Sequence, residues 1–418
     1  VAHALRAFSM AHVGDVLPHR PSIESLLRQH AEQIAQLQGA LAVDLAQGPP
    51  EGDPLVYDEV WLLRYILAFP PRHGDIGAAA DAARRAVQWR RERPELARAA
   101  TQRGPPPGFD SRTVAAWQAL VAVGYHKSSR AGDLVQVIRS GCSDLPGLMD
   151  ILSPEVVSMF FTYIAECAYQ YLDNASRRLG YFVKVIAVQD LTGAPFSREK
   201  RFFNALGMAA KRNEWLYPLK DLRAIIFRPP TWISFVFGIA KHFLPKSLVE
   251  KVHIHSGVPL LGEPGCDISR CPWASRLLDR TRVPQCLGGA DADEVAGLPN
   301  EAHGTWAQRH PGERWDAPMS DAALLPGGCL IALRFLPDPA EAAAMAISEM
   351  PAPSTAIHRG TSAPEFFSPR SEMSPEVSRR VIDVGAADPS CCRRWCCWRR
   401  RSHGEVQARD GPLLQRAC

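Results

Sequence analysis

Long apolar runs are missing from this 418-residue chain. The longest, near Trp232 to Ala240, falls well short of the ~20 residues that a membrane-spanning helix needs. An excess of one charge is missing as well. Lys and Arg number 48 against 44 Asp and Glu, a net charge of +4, which argues against a nucleic-acid surface or a strongly acidic partner. The common enzyme signatures are also absent: G-x-G-x-x-G, G-x-x-x-x-G-K, G-x-S-x-G and H-E-x-x-H do not occur, and no enzyme is expected. The 11 cysteines are scattered or clustered late, without an even disulfide framework, so a reducing compartment is expected. The opening residues, VAHALRAFSMAH, lack the apolar core of a secretory signal. They also lack an initiator Met, and a fragment or processed chain is the expectation.

What is present alternates between helix and strand patterns. Apolar residues at Ile23, Leu27, Ile34, Leu37, Leu41 and Leu45 recur at helical spacing, predicting one amphipathic helix over 23–46 in an N-terminal extension, 1–54. GPPEGDP, 48–54, reads as a linker. A helical module is expected over 55–105, and a helix over 111–122. Ser153-Pro154-Glu155 combines an N-cap, a first-turn proline and an acid at the positive helix end. It predicts a helix to about Arg178. A strand follows over 182–189, a helix over 197–215, and strands over 222–227 and 251–255. Alternating elements argue an α/β layer around a small mixed sheet. Residues 291–336 are expected to be an irregular extension, with one apolar run at 329–335. From Pro337, alanine, proline, serine and charge dominate, and disorder is expected.

The most informative stretch is 217–257, YPLKDLRAIIFRPPTWISFVFGIAKHFLPKSLVEKVHIHSG. A buried-type strand runs into Pro229-Pro230. A segment apolar nearly all round follows, instead of the single stripe of an ordinary surface helix. The order aromatic-Pro, strand, Pro, aromatic-rich helix, Phe-Leu-Pro, Lys, short strand, Gly resembles the gate region of the CRAL-TRIO lipid-binding domain. That family includes phosphatidylinositol/phosphatidylcholine transfer proteins and tocopherol and retinaldehyde carriers. Three other blocks are similar to it in order: DEVWLLRYILAFPPRHGDIGAAADAARRAVQWRR from Asp58, GDLVQVIRSG from Gly132, and FVKVIAVQDLTG from Phe182. VPQCLGG, 283–289, is similar to the closing segment. The resemblance covers roughly residues 55 to 290, with the lipid-binding domain over 110–290.

The resemblance implies helices that pack on the sheet to leave an apolar cavity, covered by a mobile gate over 231–244. Trp232, Ile233, Val236, Phe237, Ala240, Phe243 and Leu244 would form the gate's apolar faces. The implied lipid-binding set is Gln136, Tyr163, Val185, Ala187, Gln189, Phe227 and Lys251. In phospholipid-transferring relatives, hydroxyl residues that touch choline stand where this chain has Val185 and Ala187. Tyr163 matches a tyrosine that helps hold that headgroup, and Gln136 falls where another tyrosine stands. Lys251 matches a lysine that contacts inositol phosphate, whereas the acid expected after the aromatic-Pro pair is Leu219, followed by Lys220. A sterol, tocopherol, retinoid or fatty-acyl ligand therefore fits this wall at least as well as phosphatidylcholine. Plain core packing is the competing account of Val185 and Ala187.

Two further clusters invite chemistry. His253, His255, Cys266 and Cys271 hold metal-ligand residue types, but the cysteine spacing is loose and satisfied core histidines are the favoured reading; no metal is expected. CCRRWCCWRRR, 391–401, combines five arginines, four cysteines and two tryptophans. It suits an anionic membrane surface or palmitoylation, although a compositionally biased extension is the simpler account. The expected function is binding one hydrophobic lipid and exchanging it between membranes, with transient membrane contact, no cofactor beyond the lipid and no nucleic acid. A monomer is expected, cytoplasmic and peripheral at membranes. The alternative is a lipid-sensing scaffold with little transfer activity.

Overall fold

A computed structural model describes residues 20–71, 73–194, 199–231, 233, 251–255, 278–295, 297–313 and 331–349. All lie in the first of two compact units, Val1–Pro353. The expected tail cluster at 391–401, Cys266 and Cys271, and the gate residues other than Ile233 lie outside the described residues.

The single helix expected over 23–46 is three: α1 (Ile23–Gln29), α2 (Ala31–Ala40) and α3 (Ala42–Leu45). His30 and Leu41 interrupt it, each with φ near −110° and ψ near 10°. The breaks let Ile23, Leu26, Ile34, Leu37 and Leu41 all be buried. Their partners are Trp61, Leu62, Tyr65 and Ile66 of α4 (Glu59–Ala68), in one continuous core. The N-terminal extension and the helical module are therefore not separate bodies. Asp58 caps α4, its carboxylate accepting from Trp61 N at 3.0 Å, as an N-cap aspartate should. The module continues with α5 (Gly77–Glu92) and α6 (Pro94–Gln102).

After α7 (Ser111–Leu120) the chain enters a sheet that has five strands among the described residues, in the order β1 (Val123–Ser128), β2 (Leu134–Arg139), β3 (Val185–Asp190), β4 (Asp221–Phe227) and β5 (Val252–His255). The sequence reading names no strand before the GDLVQVIRSG block from Gly132, and so misses β1. Its VGYHKS sequence carries no period-2 alternation, and its pairing slips between Tyr125 and Ser128, around Lys127 with φ 58°. β1 is antiparallel to β2; the other pairs are parallel. Parallel pairs need crossovers. α8 (Leu145–Ile151) and α9 (Pro154–Leu179) cross from β2 to β3, and α10 (Lys200–Leu216) from β3 to β4.

α9 begins where the sequence predicts. Ser153 accepts from Val156 N, Pro154 opens the helix, and Gly180 closes it with φ 73°. Most of its length is buried, because helices pack on both sides of it. Two buried ion networks tie it to the N-terminal module. Arg90 bonds both Asp53 and Glu166, and Arg64 reaches Asp173, Ser176 and Leu172 O.

The later residues depart from expectation. The described part of the apolar run, from 331, is no strand: 331–333 form one 3-10 turn, and Phe335 makes an isolated bridge to His126. A short helix, α11 (Trp306–Arg309), lies in the expected irregular extension. Residues 339–349, read as disordered, form α12 (Pro339–Glu349), with Ala342, Ala343 and Ala346 buried. Its residues are strong helix formers, and Asp338 accepts from Ala340 N at 2.6 Å. Composition alone hid a helix whose small face packs closely on α9.

Candidate functional site

Strand register decides which side chains share a face. Gln136, Ala187, Ala224 and Val252 lie side by side across β2 to β5, as do Ile138, Gln189, Ile226 and Ile254. This is the front of the sheet. The alternate residues Val135, Val137, Ile186, Val188, Ile225 and Phe227 point to the back, where Leu278, Val283, Cys286, Leu287 and Val295 complete a dry core. Gly289 makes that closure: a Cβ there would meet Val283 O at 1.8 Å.

The front face does not close in the same way. It leaves a cavity of about 1720 Å³. Val123, Tyr125, Gln136, Ile138, Gln189 and Ile226 form its floor, and Phe161, Ile164 and Ala165 of α9 form a side. Leu67 to Pro70 close another side, and Phe202, Phe203, Leu206 and Ala209 of α10 face it from opposite the floor. Phe203 and Leu206 are themselves exposed. Ile233 of the expected gate lines it too.

Polar groups sit at the two ends of the strands. Lys220, Asp221 and Lys251 stand where β4 and β5 begin. Lys220 pairs with Asp221, whereas Lys251 is exposed. Burial, and then the nearby charges of Lys251 and Arg20, pull the Lys184 ammonium below its usual range. At the other end are Ser140, Ser143, Asp144, Glu199 and Thr305. Gln189 Nε2 donates to Ser140 Oγ at 3.1 Å, which fixes one carboxamide in the floor.

Of the expected lipid-binding set, Gln136, Gln189, Lys251 and the gate's Ile233 line this cavity. The other four residues of the set do not line it. Tyr163 is fully buried, and its hydroxyl donates to Gly104 O and, at 3.3 Å, to Ala99 O. The cavity face of α9 is 161, 164 and 165, and residue 163 falls off that phase. Phe227 has the wrong strand parity and belongs to the back core. Val185 is 1% exposed in the main core, where β3 begins. Ala187 is on the front face, but its single methyl lies outside the cavity lining. The helix over 197–215 was expected, but not its part in the cavity wall through Phe202, Leu206 and Ala209, which follow helical spacing; Ile138 and Ile226, two residues along the face from Gln136 and Ala224, were not named either.

His253 lies on the back face, with its Nε2 3.0 Å from Arg223 Nη1. Among the described residues no three His, Cys, Asp or Glu side chains gather as metal ligands. No single described helix is long and apolar enough to cross a membrane.

The β2–β5 sheet, its crossover helices and the front cavity coincide with a family match: residues 122–261 match the model of the CRAL/TRIO domain. It is these residues, and not the whole chain, that are similar to the CRAL-TRIO family, whose members bind and transfer lipids. Among curated proteins it is similar to the Sec14 cytosolic factor of Schizosaccharomyces pombe, 26% identical over 132 residues. That alignment covers 31% of this chain and 46% of the relative, under half of its length. Among solved structures it resembles that of Sfh5, at 13% identity and a TM-score of 0.38, over 58% of this chain and 84% of the other.

Proposed function

We propose that the front cavity holds one hydrophobic lipid and that the chain exchanges it between membranes. The observation that carries this is the cavity itself: about 1720 Å³, walled mainly by aliphatic and aromatic side chains, on one face of a sheet whose other face is closed. Pockets for drug-sized ligands run to about 300–1,000 Å³, so this one suits a larger, chain-like molecule. Burial supplies the affinity, about 0.8 kcal/mol for each methylene removed from water. The cost of leaving a bilayer is then offset without bond chemistry.

Selectivity falls to the few polar groups. Gln136 and Gln189 offer amide donors and acceptors from an apolar floor, suited to a hydroxyl or carbonyl. Lys251 and Lys220 offer cations at the strand beginnings, suited to a phosphate. Leu219, where relatives carry an acid, lines the same end and removes a partner for inositol hydroxyls. The segment 231–244 is proposed as the gate through which the lipid passes, with a membrane surface as the transient partner.

The test is native mass spectrometry with lipid extraction on the full chain from a eukaryotic host. One lipid species near one per chain supports the reading and names the cargo. A protein that stays empty after incubation with mixed liposomes refutes it, and favours a scaffold that contacts membranes without carrying lipid.

A further inference from the structure

The floor of the large cavity carries two carboxamides, Gln136 on β2 and Gln189 on β3. Gln136 pairs with Ala187, and Ile138 with Gln189. The two glutamines therefore stand diagonally on one face, their backbones about 8 Å apart. Side chains of that length can reach one atom between them. Both are half-buried.

The protein itself does not match all their hydrogen-bonding groups. Gln189 gives an amide hydrogen to Ser140 Oγ at 3.1 Å. That bond fixes its orientation and leaves its Oε1 with no donor among the described residues. The Gln136 carboxamide has no hydrogen-bond partner among the described residues. The hydroxyl nearest in register belongs to Tyr125, directly across from Gln136, and it already donates to Ile164 O at 3.1 Å. On the other side Ala187 offers a methyl group.

In an empty cavity water meets these groups. A lipid that fills the space expels the water, and its own atoms become the partners. A carboxamide oxygen only accepts, so the fixed Oε1 of Gln189 needs an O–H or N–H. Gln136 is not fixed and can turn either its oxygen or its amide to the ligand. An ester or ether oxygen would be met by the Gln136 amide, but it leaves Gln189 Oε1 unmatched in a water-free wall, which is costly. A diacyl phosphatidylcholine carries no donor at all. A hydroxyl serves both residues: it donates to Gln189 Oε1 and accepts from Gln136 Nε2.

We infer, on the reading that the front cavity holds the lipid, that its cargo carries a free hydroxyl seated between Gln136 and Gln189, and that these two residues select an alcohol over its ethers and esters. Ser140 is a positioning residue that holds the Gln189 oxygen toward the ligand. Lys220 and Lys251, where β4 and β5 begin, lie away from this locus and take no part in the choice.

The test uses the full chain and two matched probe pairs: hexadecan-1-ol with its methyl ether, and cholesterol with its methyl ether. Each is measured by displacement of a fluorescent fatty-acyl probe. The alcohol-to-ether affinity ratio of the wild type, divided by that of Gln189→Leu, cancels the difference in hydrophobicity within a pair. It should be about tenfold or more, and the pair with the larger value tells a chain alcohol from a sterol. Ser140→Ala, which removes only the group that holds Gln189, should lower the ratio as well. A ratio that Gln136→Leu and Gln189→Leu both leave unchanged overturns the inference while the carrier reading stands. So does displacement by phosphatidylcholine but by neither alcohol. If no lipid displaces the probe, both fail.

Discussion

Arg90→Met keeps a long apolar chain in place and removes one charge from the junction of the helical module with α9. The side chains of Arg90, Asp53 and Glu166 are 2%, 1% and 1% exposed. The arginine donates at 2.5 and 2.8 Å to Asp53 and at 2.7 and 2.7 Å to Glu166. All four bonds vanish together, and two buried carboxylates lose their counter-charge. Breaking a buried pair by removing one partner costs about 3–5 kcal/mol. With two acids stranded, the expected loss lies at the upper end, about 4–5 kcal/mol near neutral pH, a large share of an ordinary ~5–15 kcal/mol stability.

The pH dependence sharpens this. Burial pushes the Glu166 carboxyl up, but the Arg90 charge and hydrogen bonds outweigh it and hold the group below its ordinary value. A depressed folded-state pKa gives stability that is present above the unfolded value and lost as pH falls through the folded one. In the variant burial is opposed only by the hydrogen bonds of Gln170 and Tyr217, so the folded-state value should rise above the unfolded one, and acid then favours the fold. The gap between the two proteins should therefore narrow from about pH 7 to about pH 4. Guanidinium unfolding followed by tryptophan fluorescence across that range measures it. A loss below about 1 kcal/mol, or a gap independent of pH, refutes the reasoning.

Other outcomes follow from the same geometry. Ala165 faces the large cavity from α9, so Ala165→Trp should obstruct it, cutting co-purified lipid at least tenfold while the circular dichroism spectrum and Tm hold. Lys251→Ala should slow transfer from anionic vesicles about fivefold, since a cation near such a surface contributes about 1 kcal/mol, and leave transfer from neutral vesicles unchanged. Gly141→Ala should lower the urea midpoint by an amount worth more than about 2 kcal/mol, because a Cβ there would meet Thr192 O at 1.8 Å.

Much of the scaffold was legible because local signals agreed with tertiary ones. The Ser153-Pro154-Glu155 start of α9 is backbone chemistry, readable without a partner. The runs that became β3 and β4 were readable from their β-branched content. What failed needed three-dimensional context. β1 was invisible because its burial comes from neighbours on both sides rather than from alternation. The helix expected over 23–46 breaks at His30 and Leu41 to follow the surface of α4, which no periodicity announces. Gln136 and Gln189, named through the family resemblance, line the front cavity. Tyr163 and Phe227 were misplaced because helix phase and strand register fix a direction only relative to a cavity whose position was unknown.

The two faces of the sheet carry different burdens under mutation. On the back, Val137, Ile186, Val188 and Ile225 are fully buried against other side chains, so a change in volume is felt at once as strain or void. On the front, Gln136, Ile138, Gln189 and Ile226 border empty space, and their replacement disturbs few neighbours. One strand thus interleaves positions that are locked with positions that are free. Descendants of this chain can drift toward new cargoes through the free set while the locked set keeps the sheet intact. A deep mutational scan scored for abundance should show that drift capacity as a period of two along β2, β3 and β4.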